Sequence, residues 1–310
     1  MNDTTASLSR KISSAGDLQS VVRTMKALAA SSIGQYERSV LALADYYRTV
    51  ELGLSVCLRK IEPRIMSPKQ KERSAHNVIG AIVFGSDQGL VGQFNEVVAD
   101  YAIKNLAALP GKVQVWAVGE RVHARLADTD LPLIGLFTVP NSVKAIIPLV
   151  GQILVESEML HRHSAMLMTG QGEATELHLF YNRPTSGAVY EPVSQRLLPL
   201  DEDWLRKLAE HPWPTGNLPE IIGDGTSALR ALISEYLFIS LFRACAESLA
   251  SENASRLAAM ERADKNIDEL LENFHGAFHR LRQSGIDEEL FDVISGFEAL
   301  SKGKTHRSTE

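Results

Sequence analysis

The run of residues 85–95, GSDQGLVGQFN, has the residue types and spacing best suited to binding a ligand. It follows an apolar, strand-like stretch and precedes a helix-like stretch, a context in which backbone N–H groups can hold a phosphate. The glycine spacing, however, is not G-x-G-x-x-G, and no Gly-Lys-Ser/Thr follows, so neither the dinucleotide signature nor the Walker signature is met. A nucleotide-binding enzyme built around this run is one hypothesis.

The other hypothesis for the same run is a tight structural turn between a strand and a helix. Glycine supplies positive φ in such turns, and Ser, Asp and Asn side chains hydrogen-bond the backbone. We favour this interpretation because no ligand signature is complete. The residues assigned to the structural turn are Ser86, Asp87, Gly89, Gly92 and Asn95.

Four histidines occur as two closely spaced pairs, which could bind a metal ion or interact with a helix end. His275 and His279 are four residues apart on a predicted helix, which is the geometry of half a metal site, but no third ligand is evident. His161 and His163 flank Arg162 near a predicted helix end, where cations interact favourably with the helix dipole. We expect solvated histidines and no bound metal or cofactor.

The two cysteines, Cys57 and Cys245, lie in opposite terminal segments and match no metal-binding spacing. We expect two reduced thiols, as in a cytosolic protein. The sequence contains no Gly-x-Ser-x-Gly elbow, no His-Glu-x-x-His motif and no Cys/His pairing. These patterns predict a chain without catalytic residues of its own.

Composition excludes further classes of protein. The 310 residues carry 32 Lys and Arg against 38 Asp and Glu, a net charge of -6, so no global basic field favours nucleic acid or an anionic membrane surface. The longest apolar stretches are shorter than the roughly 20 residues that a bilayer requires. The first residues lack the basic and apolar regions of an export signal. We therefore expect a soluble protein.

The two terminal segments show the period of a coiled coil. The N-terminal segment has no proline before Pro63, so one helix can run over about residues 7–61. The C-terminal segment has none after Pro219, so a second helix can run over about residues 226–301. Apolar residues recur at spacings of three, four and seven in both segments. The predicted seam is formed by Leu8, Ile12, Ala15, Val22, Met25, Ala29, Tyr36, Val40, Leu43, Tyr47, Val50 and Leu54 with Leu257, Met260, Ile267, Leu271, Phe274, Phe278 and Leu281.

Between these helices, short apolar runs alternate with helical stretches, as βαβ units do. Strands are predicted at residues 78–84, 113–118, 134–139, 176–181 and 190–198, with helices at 92–108, 121–128 and 143–163. The predicted fold is therefore α/β with long helices, an antiparallel coiled coil plus an inserted Rossmann-like domain with a mostly parallel sheet. Its predicted parts are a coiled-coil helix (1–62), a central domain (76–200), a second coiled-coil helix (221–302) and a flexible tail (303–310).

Three parts of the sequence resemble the γ subunit of F-type ATP synthases. Near the N-terminus the matching residues are the Ile12-Ser13-Ser14-Ala15 run, Gln19, Met25 and the Ala29-Ala30-Ser31 run. Residues 247–260, ESLASENASRLAAM, are similar to the C-terminal signature of that family, and Arg282 and Gln283 match the end of the same helix. The turn at residues 86–95 corresponds to the strand-to-helix turn of the family. The resemblance thus extends over both termini and the central domain, in the family's order.

The resemblance implies a non-catalytic rotor that couples transmembrane ion flow to ATP synthesis or hydrolysis. Its coiled coil would enter a head of α and β subunits, and its foot would contact the ε subunit and the c-ring. It would lie at the cytoplasmic face of a bacterial inner membrane, attached through the complex, without nucleic acid or a cofactor. By the same resemblance, Met25, Arg282 and Gln283 fall at positions that contact the β subunits.

Some positions depart from the family pattern. Ser20 and Ser32 stand where Lys is usual, Gln88 where Arg is usual and Asp287 where Thr is usual. Fewer basic contacts to the head are therefore expected. The departures suggest a divergent branch, of the alternative sodium- or proton-translocating type that some bacteria carry beside their main enzyme. A coiled-coil adaptor for a different partner is the third hypothesis for the chain.

Overall fold

The computed structural model describes residues 4–60, 78–162, 175–185, 189–217 and 219–305, so residues 61–77 and the last five residues of the predicted tail lie outside the described part. The chain divides into two compact units, residues 1–27 with 260–310, and residues 28–259. In chain order the elements are α1 (Thr5–Lys60), β1 (Val78–Phe84), α2 (Phe94–Ala107), β2 (Lys112–Val118), α3 (Glu120–Ala127), β3 (Leu133–Phe137), α4 (Val143–Arg162), β4 (Thr175–Pro184), β5 (Tyr190–Leu198), α5 (Glu202–Glu210) and α6 (Gly225–Thr305).

Helices α1 and α6 are each uninterrupted, over 56 and 81 residues. At the start of α1, the Thr4 hydroxyl accepts a hydrogen bond from the backbone N–H of Ser7. At the start of α6, the Asp224 carboxylate accepts hydrogen bonds from the Ser227 hydroxyl and from the backbone N–H groups of Thr226 and Ser227. The Ser227 hydroxyl first, and then the two backbone groups, lower the pKa of Asp224. Both caps satisfy amide groups that a helix leaves without partners. The predicted long terminal helices are confirmed.

The predicted seam is confirmed along α1, because all twelve of its seam residues are buried or half-buried. The same holds on α6 from Leu257 to Phe278. Leu281 was also predicted to be a seam residue, but its side chain is exposed, as are those of residues 282–296. Apolar spacing on one helix does not bury a side chain by itself, because burial also requires a neighbouring helix to cover it.

In the unit formed by residues 1–27 and 260–310, α1 and α6 run antiparallel. The Gln19 side-chain amide donates a hydrogen bond to Asp264, at 3.3 Å between Nε2 and Oδ1. Further toward the start of α1, the Lys11 ammonium lies 5.8 Å from the centroid of the Phe274 ring. Residue numbers therefore fall along α1 as they rise along α6.

The same antiparallel pairing occurs in the unit formed by residues 28–259. The Tyr46 hydroxyl donates a hydrogen bond of 2.7 Å to the Glu235 carboxylate. The neighbouring aromatic rings of Tyr47 and Tyr236 lie 6.0 Å apart. Each unit thus contains a stretch of antiparallel helix pair with its own cross-links.

The central sheet has five strands in the order β3-β2-β1-β4-β5. The pairs β3–β2, β2–β1 and β1–β4 are parallel, and β4–β5 is an antiparallel pair at one edge. The sheet is thus mixed, with parallel pairing through its centre. In β1, six of seven residues are buried, which explains why this strand is a continuous apolar run.

Helices cover both faces of this sheet. On one face, α2 and α3 pack on Ile79, Ala81 and Val83 of β1. On the other face, α4 and residues of α1 and α6 pack on Ile82 and Phe84 of the same strand. Alternate residues of β1 therefore contribute to two different cores, one of which includes part of the helix pair.

Helix α5 was not predicted. The Asp201 side chain caps it by accepting a hydrogen bond of 2.8 Å from the backbone N–H of Trp204. Its apolar residues, including Leu205 and Leu208, pack against α1 and α6 near Leu54. Asp201 at the cap position, followed by the acidic Glu202 and Asp203, is the signal in the sequence that could have located this helix.

Candidate functional site

The turn after β1 is closed by its own side chains. Asn95 lies in the first turn of α2, and its Oδ1 accepts a hydrogen bond of 2.9 Å from the backbone N–H of Ser86. Asn95 Nδ2 donates to the Ser86 hydroxyl at 2.8 Å, and that hydroxyl donates to the carbonyl of Gln88 at 2.9 Å. Ser86 and Asn95 are both buried. Their polar atoms are therefore directed to the protein rather than to a ligand.

Asp87 ties this turn to two other elements. Its Oδ1 accepts a hydrogen bond of 3.0 Å from the backbone N–H of Glu120, the first residue of α3. Its Oδ2 accepts a hydrogen bond of 2.9 Å from the backbone N–H of Val139, just after β3. One carboxylate thus satisfies backbone amides of two segments that follow neighbouring strands.

Backbone geometry at the turn differs in one detail from the predicted role of its glycines. Positive φ occurs at Leu90 (63°) and Gly92 (58°), whereas Gly89 has an ordinary φ. Gly85 is required for a different reason, since a Cβ there would lie 2.3 Å from the Cβ of Val122 on α3. Close approach of the turn to α3 therefore constrains Gly85, and positive φ constrains Gly92.

Helix α6 packs directly on this turn and on β4. The Ser255 hydroxyl donates to the carbonyl of Val91, and the Ser251 hydroxyl donates to the carbonyl of Asn182 at 3.0 Å. The Asn182 side chain in turn donates to the carbonyl of Phe94 at 2.9 Å. The small hydroxyl residues of the 247–260 signature thus bind α6 to the central sheet.

A buried ion pair lies on the same face of α6. Arg256 donates to the Glu252 carboxylate at 2.6 Å, and the two side chains are only 13% and 6% exposed. Burial raises the pKa of Glu252, Arg256 opposes that shift, and the negative charge of Asp87 adds to it. Glu252 and Arg256 belong to the signature, but no role was assigned to them from the sequence. The sequence of a helix does not indicate which of its charged side chains are buried.

A second carboxylate on α6 connects the helix to β4. The buried Glu247 accepts from Arg243 at 2.7 Å and from Arg183 at 3.3 Å. Arg183 also donates to the Tyr181 hydroxyl at 2.9 Å, and the pKa of Tyr181 is raised, mainly by burial. Together with the serine contacts, this network makes the signature of α6 an attachment site for the central sheet.

Tyr36 provides a pH-dependent test of the packing between α1 and α6 in residues 28–259. Burial, with smaller contributions from Cys245 and Glu252, raises the pKa of Tyr36 from 10.0 to about 12. The unfolded chain ionises first, so the stabilisation is complete below pH 10 and is lost as pH rises toward 12. Replacing Tyr36 with Phe should reduce the slope of unfolding free energy against pH in that window by up to about 1.4 kcal/mol per pH unit.

Urea titrations at several alkaline pH values measure this slope. The variant Tyr46→Phe is the comparison, because Tyr46 is exposed and its pKa is raised first by the hydrogen bond to Glu235 rather than by burial. An identical slope in wild type and Tyr36→Phe would contradict the assigned burial of Tyr36.

The residues that the resemblance assigned to β-subunit contact lie in the unit of residues 1–27 and 260–310. Met25 is half-buried on α1, whereas Arg282 and Gln283 are exposed on α6. The turn at residues 86–95 belongs to the other unit, residues 28–259. Among the departures from the family pattern, Ser20, Gln88 and Asp287 are exposed and Ser32 is half-buried.

The described residues contain no group of three His, Cys, Asp or Glu side chains that could hold a metal ion. His275 and His279 are both exposed on α6, and His163 lies outside the described residues. Cys57 and Cys245 are buried and form no disulfide bond with each other, and burial raises the pKa of the Cys245 thiol. In the described part of the chain, no helix has the length and apolar character needed to cross a bilayer.

Comparison with known proteins gives a match over nearly the whole chain. The family model described as ATP synthase matches residues 4–300. The ATP synthase gamma chain of Moorella thermoacetica is 26% identical over 298 residues, covering 94% of this chain and 98% of the relative. The gamma chain of Clavibacter sepedonicus is 28% identical over 307 residues, covering 95% and 97%.

Solved structures share the fold. The rotor of the Euglena gracilis mitochondrial ATP synthase superposes with a TM-score of 0.60 at 15% identity, covering 91% of this chain and 98% of the other. A second Euglena gracilis structure, of the OSCP, F1 and c-ring assembly, gives a TM-score of 0.61 at 16% identity, covering 97% and 95%.

Long antiparallel terminal helices attached through α6 to a mixed α/β sheet form the fold that this chain shares with the Euglena gracilis rotor. The family match identifies the chain further. It belongs to the ATP synthase family, as a gamma-type subunit that takes no direct part in the chemistry.

Proposed function

We propose that this chain is the rotor of a bacterial F-type ATP synthase, held at the cytoplasmic face of the inner membrane through the assembled complex. It turns within a head of α and β subunits, and its foot contacts the ε subunit and the c-ring. Rotation couples ion flow to ATP synthesis or hydrolysis at sites in the head. The observation that carries the proposal is the antiparallel pairing of α1 with α6 in each unit. It occurs in a chain that matches the family over residues 4–300.

Charged groups fasten the helix pair in the unit of residues 1–27 and 260–310. Asp264 on α6 accepts a hydrogen bond from Gln19 and forms ion pairs with Arg23, at 3.1 Å, and with Lys26, at 3.7 Å. These three partners lie on successive turns of α1. Arg23 also reaches Asp268 at 3.6 Å. Each exposed pair stabilises little alone, but their shared partner resists sliding of one helix along the other. Such resistance is what a shaft under torque requires.

The last described part of α6 supports insertion into the head. Residues 281–296 are exposed, and four of them lie within an arc of about 100° on the helix. These four are Ile286, Leu290, Val293 and Ile294. Exposed apolar surface of this extent marks a site of protein interaction. We propose that these four residues contact the inner lining of the head formed by the α and β subunits.

Met25, Arg282 and Gln283 are the proposed contacts with the β subunits. Arg282 is the most informative, because an exposed guanidinium can form a charge-assisted hydrogen bond to an acidic loop, worth about 1.5–3 kcal/mol. Replacing Arg282 with Ala should therefore weaken binding to the head by roughly 10-fold to 150-fold. The thermal unfolding of the chain alone should not change.

Binding to immobilised α and β subunits by surface plasmon resonance measures this effect. Arg280→Ala is the matched control, since Arg280 is also exposed and projects from the opposite side of the same helix. Equal affinities for wild type and Arg282→Ala would remove Arg282 from the contact surface.

Co-expression with α and β subunits tests the proposed function as a whole. We expect a stable complex that hydrolyses ATP, whereas the chain alone should hydrolyse none. Calorimetric titration of the chain alone with ATP should give no saturable heat, because the polar groups of the turn are already bonded within the protein. Failure to assemble with α and β subunits, together with capture of another partner, would favour the adaptor hypothesis instead.

A further inference from the structure

A cleft of about 500 Å³ opens between α1 and α5 within the unit of residues 28–259. Each helix gives it one face, built from residues spaced i, i+3, i+4 and i+7. Arg48 and Leu52 come from α1, and Trp204, Lys207 and Leu208 come from α5. The volume is within the range of sites that bind small molecules. The proposed function assigns no role to this cleft.

The inner part of the cleft is apolar. Leu208 is buried, and Leu52 and Trp204 are half-buried. The Trp204 ring packs on the Tyr236 ring of α6 at 4.8 Å between centroids, which holds the indole in place. An apolar group entering the cleft therefore meets a fixed aromatic and aliphatic surface.

The rim of the cleft is cationic. Arg48 and Lys207 are exposed, and neither forms an ion pair with another residue in the described part of the chain. Glu51 also lines the cleft, so one carboxylate stands there beside the two cationic side chains. The two cations outnumber this carboxylate, and the excess of positive charge favours an incoming anion.

The cleft is formed before any ligand arrives. Arg59 on α1 donates to the carbonyl of Ala209 at 2.8 Å and also to the carbonyl of His211, which fastens the end of α5 to α1. Asp201 caps the other end of α5. A pre-formed site avoids the cost of ordering its walls on binding.

We propose that this cleft binds a small amphiphilic anion, a molecule with an apolar body and one phosphate or carboxylate head. The body lies against Leu52, Trp204 and Leu208, and the head lies between Arg48 and Lys207. Both halves are required, because the rim alone would bind any anion and the inner surface alone would bind any apolar group. The proposal stands independently of the rotor function.

Isothermal titration calorimetry of the full chain with octyl phosphate tests the site. We expect saturable binding of one molecule per chain, at least tenfold tighter than binding of inorganic phosphate or of octanol. Titration with octanoate distinguishes the two head groups. If octanoate binds as tightly as octyl phosphate, the ligand is a carboxylate such as a free fatty acid. If octanoate binds more weakly, the ligand carries a phosphoryl group. Equal affinity for octyl phosphate and octanol would overturn the proposal.

Variants separate the two halves of the site. The double variant Arg48→Gln/Lys207→Gln should weaken octyl phosphate binding at least tenfold and leave octanol binding unchanged. The matched control Arg38→Gln/Lys104→Gln removes two exposed cations elsewhere in the same unit and should bind like wild type. Leu52→Trp fills the apolar part and should weaken binding while both cations remain. Wild-type affinity in Arg48→Gln/Lys207→Gln, or an equal loss in the control, would refute the assignment.

Discussion

Replacing Arg256 with alanine is expected to lower the free energy of unfolding by about 3–5 kcal/mol. The change leaves Glu252 ionised in a site where its side chain is 6% exposed and where Arg256 is its ion-pair partner. Nearby Asp87 makes the same negative charge still less favourable. The loss should appear as a lower midpoint in urea denaturation followed by circular dichroism.

The pH dependence of this loss identifies its cause. Burial raises the pKa of Glu252 in the folded chain, and removing Arg256 raises it further. A raised carboxyl pKa means that the folded state is favoured at low pH and loses stability as pH rises through the raised pKa. The destabilisation by Arg256→Ala should therefore be largest at neutral pH and smaller in mild acid.

Two further variants complete the test of Arg256. Arg125→Ala breaks an exposed pair with Asp100, at 3.0 Å, and should cost less than about 1 kcal/mol. The double variant Glu252→Leu/Arg256→Met removes both charges and should recover much of the stability lost in Arg256→Ala. Equal effects of Arg256→Ala and Arg125→Ala would show that the Glu252 pair is solvated.

Replacing Gly119 with alanine should destabilise the chain by about 2–6 kcal/mol, the sum of a backbone and a packing effect. Gly119 has φ of 116°, which residues with a side chain rarely adopt. A Cβ there would also lie 2.8 Å from backbone atoms of Ser86, which cannot move without breaking the bonds to Asn95. The strain therefore falls on the turn at residues 86–95, against which α6 packs.

Gly151→Ala is the control for this prediction. Gly151 lies inside α4, and a Cβ at this position would have no neighbouring atom within 4 Å, so alanine there should be neutral or should stabilise the helix by up to about 1 kcal/mol. Thermal unfolding of both variants measures the difference. Comparable unfolding temperatures for Gly119→Ala and wild type would contradict the close approach of residue 119 to Ser86.

The paired helices were predictable because a seam repeats its pattern over many turns. Breaker residues such as Pro63 and Pro219 bounded the helices, and the apolar run before residue 85 marked β1. The register of the pair was not predictable, since a heptad pattern defines which face is apolar but not which residues meet. The contacts of Asp264 with Gln19 and Arg23 depend on that register.

The attachment of α6 to the sheet could be predicted only in part. Ser86, Asp87 and Asn95 were expected to bond the backbone, since short polar side chains in a turn do so locally. The partners supplied by α6, Ser255 and Ser251, are 164 and 69 residues away in sequence from the groups they bind. Local pattern carries no information about such distant pairs.

The central inference is that this chain turns as the rotor of the assembled complex. Cys57 and Cys245 are buried, so a cysteine introduced by Lys112→Cys, at an exposed position of β2, can be labelled selectively. A bead attached there, on complexes immobilised through the head, should rotate in one direction when ATP is added. ATP hydrolysis by the same complexes with a stationary bead would contradict the rotor function.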